Sequence, residues 1–156
     1  MINRELIRNK VVQLTYAYYQ NGSKNIDSAE KELFFSLSKA YDLYNHLLSL
    51  MAAVSKEAQR HLEVAQSRAR REGTETPSTK FAYNRFAMQL AENRMLNEFI
   101  QTQKKTWSDE PEFIKKLYLQ ITESQIYADY IASSEDSYND DRELWRKLYK
   151  ALIQNN

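Results

Sequence analysis

The fold is decided by residues 27–72, which read DSAEKELFFSLSKAYDLYNHLLSLMAAVSKEAQRHLEVAQSRARRE and contain neither glycine nor proline. The segment opens on Asp27, a residue type that commonly begins helices. At ~1.5 Å per residue one helix over about 44 of these residues would span about 65 Å, so it either breaks or projects as a coiled-coil-like arm. Apolar or small residues recur at alternating spacings of three and four, the α-helical period: Leu33, Leu37, Ala40, Tyr44, Leu47, Met51, Val54, Ala58, Leu62, Ala65 and Ala69.

The flanking sequence predicts an all-α fold, a bundle of about five helices in one domain over residues 1–156. Gly73 begins a loop that runs to Thr79, and a short loop between two long helices predicts an antiparallel hairpin over 28–105. The other predicted helices are a core helix at 4–20, capped by Asn3 and followed by Gly22, and C-terminal helices within 110–154. The expected buried residues are Leu37, Tyr44, Leu47, Met51, Leu117 and Ile121.

Composition excludes several classes of protein. With 42% hydrophobic and 28% charged residues, the chain has the balance of a folded domain rather than that of a membrane or disordered protein. The absence of cysteine excludes disulfides and thiol chemistry and fits a cytoplasmic location. A net charge of +1 argues against a strongly basic, non-specific nucleic-acid binder but permits a local basic patch. The chain ends directly after a helical pattern, so we expect it to be the N-terminal part of a longer protein.

No constellation of residues predicts catalysis. The two histidines are His46 and His61, and Glu57 one turn before His61 predicts a helix-surface pair rather than a metal site. Two separated glycines cannot form a phosphate-binding loop. Asp136, Asp140 and Asp141 are interpreted as loop and cap residues. We therefore expect no enzyme activity, no metal and no cofactor.

The first helix carries the sharpest candidate site. Arg4, Arg8 and Thr15 form a stripe between two apolar sides, and we expect this stripe to be the one exposed ridge of the helix. Arginine suits bidentate phosphate contact or stacking on unpaired bases. The alternative is a pair of solvated arginines that aid solubility. A second basic cluster, Arg68, Arg70 and Arg71, has its own alternative as a solvated helix end that complements the helix dipole. The apolar sides comprise Ile7, Val11, Leu14 and Tyr18 on one side and Val12, Tyr16 and Tyr19 on the other.

The stretch Arg-Glu-Leu-Ile-Arg-Asn-Lys-Val-Val-Gln-Leu-Thr-Tyr, with Arg4, Arg8, Gln13 and Tyr16, resembles the opening of NusB-family transcription antitermination factors. Asn9 and the order Leu14-Thr15 depart from the family pattern. The chain is most similar to the longer, Bacteroides-type form, which has an expanded helical region after the first helix. This likeness of overall pattern extends through residues 142–146, and the C-terminal motifs of the family are absent.

The resemblance implies an RNA-binding protein in transcription regulation, acting in antitermination and termination. It implies a small-subunit ribosomal protein as partner, which doubles as an elongation factor, and indirect association with RNA polymerase. The RNA would be single-stranded and boxA-like, bound by Arg4 and Arg8 with Lys10 as a neighbour. Gln13 and Tyr16 match the motif, and Tyr16 has the size and position of a core residue. The alternative is a helical protein–protein interaction scaffold without RNA affinity of its own, and no membrane partner is expected.

Overall fold

The computed structural model describes residues 3–22 and 25–154, and this part of the chain is all-α, without a strand. Two compact units divide the chain, Met1–Leu47 and Leu48–Asn156, and each is described by itself. The helices are α1 Arg4–Gln20, α2 Ile26–Glu72, α3 Arg85–Glu92, α4 Arg94–Thr102, α5 Pro111–Thr122, α6 Gln125–Ala132 and α7 Tyr138–Leu148, with a 3₁₀ turn at Trp107–Asp109 and a π-helical segment at Tyr149–Ile153.

The first helix has the bounds that its sequence predicts. The side-chain oxygen of Asn3 accepts a hydrogen bond of 2.8 Å from the backbone N–H of Leu6, which satisfies one of the free donors of the first turn. Gly22, two residues past the last helical residue, has a φ of 61°, a conformation that glycine adopts at little cost. These two signals explain why α1 begins and ends where it does.

The long second helix is continuous over its 47 residues. It ends at Glu72, and the next residue, Gly73, has a φ of 65°. The N–H of Thr74 donates to the carbonyl of Ala69 at 3.1 Å, which is the bond from C″ to C3 of a Schellman motif. The predicted helix over 28–72 and the loop that begins at Gly73 are therefore confirmed.

The prediction of a bundle of about five helices with a long hairpin is not confirmed, because residues 80–105 do not form one helix. Residues 80–84 are non-helical, and Asn93 separates α3 from α4. The side-chain oxygens of Asn84 and Asn93 accept hydrogen bonds from the backbone N–H groups of Ala87 and Leu96, so each asparagine begins a new helix. A local side-chain bond of this kind competes with the helical ladder.

The predicted fourth helix is divided in the same way. Ser124 caps α6 by accepting a hydrogen bond from the N–H of Tyr127, and so it separates α5 from α6. Pro111 occupies the first turn of α5 as predicted. The last α-helix begins at Tyr138, capped by Ser137, close to the predicted start near residue 140.

The hydrophobic core of the second unit joins α2 to the helices that follow it. Met51, Leu117 and Ile121 are buried as predicted. The expectation for the earlier part of α2 is wrong at Tyr44, which is 43% exposed, whereas Leu37 and Leu47 are half-buried. The core consists of Leu50, Met51, Val54, Ala58, Leu62, Phe81, Ala82, Ala87, Ile114, Leu117, Ile121, Tyr130, Leu144, Trp145 and Leu148.

Within residues 3–22 and 25–154, no helix combines the length and the apolar character that a membrane span requires.

Candidate nucleic-acid interface

Two arginines at the start of α1 form the candidate interface. Arg4 and Arg8 are one helical turn apart and both are exposed. Neither forms an ion pair with any residue that the structure describes. Two cations without internal partners, held on one side of a capped helix, are available to contact an anionic ligand.

The third residue of the predicted site lies elsewhere on the helix. Lys10 follows Arg8 by two residues, and at ~100° per residue it points to the opposite side of α1. Its side chain is half-buried, whereas those of the two arginines are exposed. The structure thus brings Arg4 and Arg8 together and does not bring Lys10 to them.

The second basic cluster is partly occupied by internal contacts. The guanidinium of Arg68 pairs with the carboxylate of Glu72 at 2.8 Å, and Arg71 donates to the backbone carbonyl of Ser67 at 3.3 Å. Arg70 and Arg71 lie in the last turn of α2, where cations complement the negative end of the helix dipole. This geometry fits the structural interpretation of the cluster better than a ligand site.

The prediction that α1 has a single exposed ridge is wrong. No residue of α1 is buried, and the apolar sides are open as well as the arginine stripe. Tyr16, expected in a core, is 66% exposed, and its hydroxyl accepts a hydrogen bond from the side-chain amide of Gln20. Gln13 is exposed too. Hydrophobic periodicity identifies the residues that share a helix face but does not show whether anything covers that face.

The predicted helix-surface pair on α2 is confirmed. An imidazole nitrogen of His61 lies 3.2 Å from the carboxylate of Glu57. The imidazole also stacks on the ring of Tyr118 in α5, with ring centroids 4.6 Å apart. Arg60 pairs with the same carboxylate. The ion-pair partners of Glu57 are therefore side chains of its own helix.

A buried polar network in the second unit is the feature that sequence analysis missed. Asp141, interpreted as a loop or cap residue, is 2% exposed; its carboxylate accepts from the Tyr130 hydroxyl at 2.6 Å and from the Arg85 backbone N–H at 2.9 Å. Burial and the bond to Asp141 raise the pKa of the Tyr130 hydroxyl well above its ordinary value. The fully buried Asn84 joins the network by donating to the Tyr130 hydroxyl and to the Asp141 backbone carbonyl.

Lys80 closes the network at its edge. Its ammonium donates to the backbone carbonyls of Tyr130 and Glu135 at 2.8 and 2.7 Å and lies 3.1 Å from the carboxylate of Asp140. Asp136, in the loop between α6 and α7, pairs with the exposed guanidinium of Arg85. The polar groups of this network satisfy one another, so it fixes the positions of α3, α6 and α7.

Neither a cluster of metal-ligating side chains among the described residues nor a similarity to known proteins points to a different functional site. No group of three or more metal-ligating side chains comes together within the described ranges. Comparison of the chain with family models, with curated proteins and with solved structures finds no match.

Proposed function

We propose that this chain is an RNA-binding transcription antitermination and termination factor that binds boxA-like single-stranded RNA through Arg4 and Arg8. A small-subunit ribosomal protein would act with it. The observation that carries the proposal is the state of the two arginines, which are exposed, adjacent and free of ion pairs among the described residues. The resemblance of the α1 sequence to the NusB family supports the choice of ligand.

Five other arginines give this observation its contrast. Arg60, Arg85, Arg94 and Arg146 each pair with a carboxylate, as does Arg68 in α2, whereas Arg70, Arg71 and Arg142 have no such pair among the described residues. An arginine already paired with a carboxylate must lose that contact before it can bind a phosphate. Arg4 and Arg8 are spared this loss, and a capped helix holds their backbone, so binding has to order only their side chains.

Aromatic side chains on the same helix suit an unpaired strand. Tyr19 is 77% exposed and follows Arg8 by eleven residues, which is close to three full turns, so the two lie on one side of α1. Exposed aromatic rings stack on unpaired bases, and arginines contact the phosphates between them. The side of α1 that carries Arg8 and Tyr19 therefore combines both kinds of contact.

The test is a binding titration with a boxA-like single strand at several salt concentrations. Arg4→Ala combined with Arg8→Ala should weaken binding and reduce the slope of log affinity against log salt by about 0.7 for each lost phosphate contact. Arg94→Ala combined with Arg146→Ala removes the same charge from exposed positions on α4 and α7, and it is the matched control.

Two outcomes would count against the proposal. One is an unchanged affinity and salt slope in the Arg4 and Arg8 variant with the ribosomal protein present. The other is an equal loss in the control variant, which would assign the effect to net charge alone. Circular dichroism should show unchanged helicity in both variants, because all four residues are exposed.

A second candidate function is a helical protein–protein interaction scaffold without RNA affinity. The observation that favours it is the apolar surface of the first unit, where Val12, Phe34 and Phe35 are each more than 60% exposed. Exposed apolar patches of this kind mark interaction surfaces. If wild-type protein shows no salt-dependent RNA binding while a partner protein still binds, this second function takes precedence.

A further inference from the structure

The first unit exposes its apolar side chains instead of burying them. Within residues 3–22 and 25–47 no apolar side chain is buried, whereas the second unit has a continuous core. The apolar surface of the first unit comprises Ile7, Val11, Val12, Tyr16 and Tyr19 from α1 and Ile26, Phe34, Phe35, Tyr41, Leu43 and Tyr44 from α2.

The size of this surface matches a stable interface. Phe35 follows Ile26 by nine residues and so points to the other side of α2. A buried aromatic side chain covers roughly 150–250 Å², so the other five half-exposed rings and the five aliphatic side chains present on the order of 1,000 Å². A standard interface buries about 800 Å² on each partner. A groove with a volume of about 300 Å³ opens within the surface, with Val11, Leu14 and Tyr18 of α1 on one wall and Ile26 and Leu33 of α2 on the other.

The charges of the first unit are separated along α1. The positively charged Arg4 and Arg8 lie in its first half. Tyr19 near its last turn borders the same groove as Glu30 of α2, so the acidic start of α2 lies at the opposite end of α1 from the arginines. That acidic start includes the exposed Asp27 and Glu32 as well. The carboxylates of Asp27, Glu30 and Glu32 have no ion-pair partner among the described residues.

We infer that the apolar surface of the first unit binds the same surface of a second copy of this chain in an antiparallel, two-fold arrangement. A two-fold axis places one patch against itself. In the antiparallel arrangement the arginine end of each copy meets the acidic end of the other, whereas a parallel arrangement would bring like charges together. This self-association goes beyond the proposed RNA binding and competes with it, because Arg4, Arg8 and Tyr19 belong to both surfaces and the dimer pairs the two arginines with carboxylates of the second copy.

The first test uses sedimentation velocity over a wide range of concentration, in the absence of nucleic acid. Val12→Asp places a charge within the surface and should weaken the dimer at least tenfold, which corresponds to about 1.4 kcal/mol. Val64→Asp is the matched control, because Val64 is 66% exposed and Val12 is 67% exposed, both on helices. The control should leave the dimer unchanged, and circular dichroism should show that both variants are folded.

The second test uses charge reversal. Arg4→Glu with Arg8→Glu makes both ends acidic, and Asp27→Arg with Glu30→Arg makes both ends basic. Each variant alone should dissociate. A mixture of the two should form a heterodimer, because every end then meets an opposite charge. Added salt should weaken the wild-type dimer and this heterodimer alike.

Several results would overturn the inference. A wild-type chain that stays monomeric at every concentration would do so, as would equal effects of the two valine variants. Failure of the mixed charge variants to associate would exclude the pairing of opposite charges on which the antiparallel arrangement rests. A monomeric wild type whose RNA or ribosomal-protein binding is lost on Val12→Asp would assign the surface to that ligand.

Discussion

The indole N–H of Trp145 donates a hydrogen bond of 3.1 Å to the side-chain oxygen of Asn84, and both residues are almost completely buried. The same oxygen caps α3 by accepting from the N–H of Ala87. One amide thus connects α7 to the start of α3, 61 residues earlier in the chain. We therefore expect the stability of the second unit to depend on this asparagine.

Replacement of Asn84 by alanine should destabilise the protein by about 3 kcal/mol, because it removes a cap and leaves the Trp145 donor buried without a partner. Asn93 is the matched control, since it caps α4 from an exposed position. Asn93→Ala should cost about 1 kcal/mol. Urea denaturation measures both, and similar losses for the two variants would contradict a special role for Asn84.

Leu117 and Leu119 in α5 provide a test of the core. Leu117 is 1% exposed and Leu119 is 51% exposed. Leu117→Ala should lower the free energy of unfolding by about 2–5 kcal/mol, which is the range for a large-to-small change in a packed core. Leu119→Ala should change it by about 0.5 kcal/mol or less. A loss at Leu119 as large as that at Leu117 would mean that the outer face of α5 is also packed.

The stability of the protein should fall as the pH rises above about 10. That value is the ordinary pKa of a tyrosine, and burial raises the pKa of Tyr130, Tyr118 and Tyr127 in the folded state. Between the unfolded and folded pKa values only the unfolded chain loses these protons, so alkali favours unfolding. Tyr130→Phe should make this alkaline loss shallower, while the exposed Tyr19→Phe should not. Denaturation midpoints measured across this range give the slope of stability against pH. A slope in Tyr130→Phe equal to that of the wild type would contradict the prediction.

Gly73 tests the end of α2. Its φ of 65° lies in the left-handed region, and a Cβ added there would meet nothing within 4 Å. The penalty of a substitution therefore comes from the backbone alone, and Gly73→Ala should cost about 1–2 kcal/mol. Gly73→Asn should cost less, because asparagine tolerates this conformation better. Equal stability of the alanine variant and the wild type in thermal melts would show that the Schellman motif is dispensable.

The sequence predicts the helices of this protein better than their packing. The bounds of α1 and α2 follow from local signals such as Asn3 and Gly73, which act within a few residues of the chain. The breaks at Asn84, Asn93 and Ser124 are missed, because these caps lie in helical patterns without a neighbouring glycine or proline. They depend on side-chain hydrogen bonds that a residue type permits but does not require.

The same distinction, between local geometry and contacts made in the folded chain, applies to the candidate site. The position of Arg4 beside Arg8 follows from helix geometry, and so the sequence predicts it. The exposure of Tyr16 and the burial of Asp141 do not follow from helix geometry, because they depend on contacts between residues far apart in the chain. The Asp141 carboxylate, for example, binds the backbone of Arg85, 56 residues away.

The continuity of α2 has a consequence for how the chain opens. Its 47 residues form one hydrogen-bonded ladder, yet its buried apolar side chains begin only at Leu50. Amide hydrogen exchange along a helix reports the free energy of local opening, which tertiary packing largely sets. We expect slow exchange after Leu50 and much faster exchange before it, with the transition inside the helix. The boundary between cooperative folding units would then fall in the middle of a regular element, where no loop marks it.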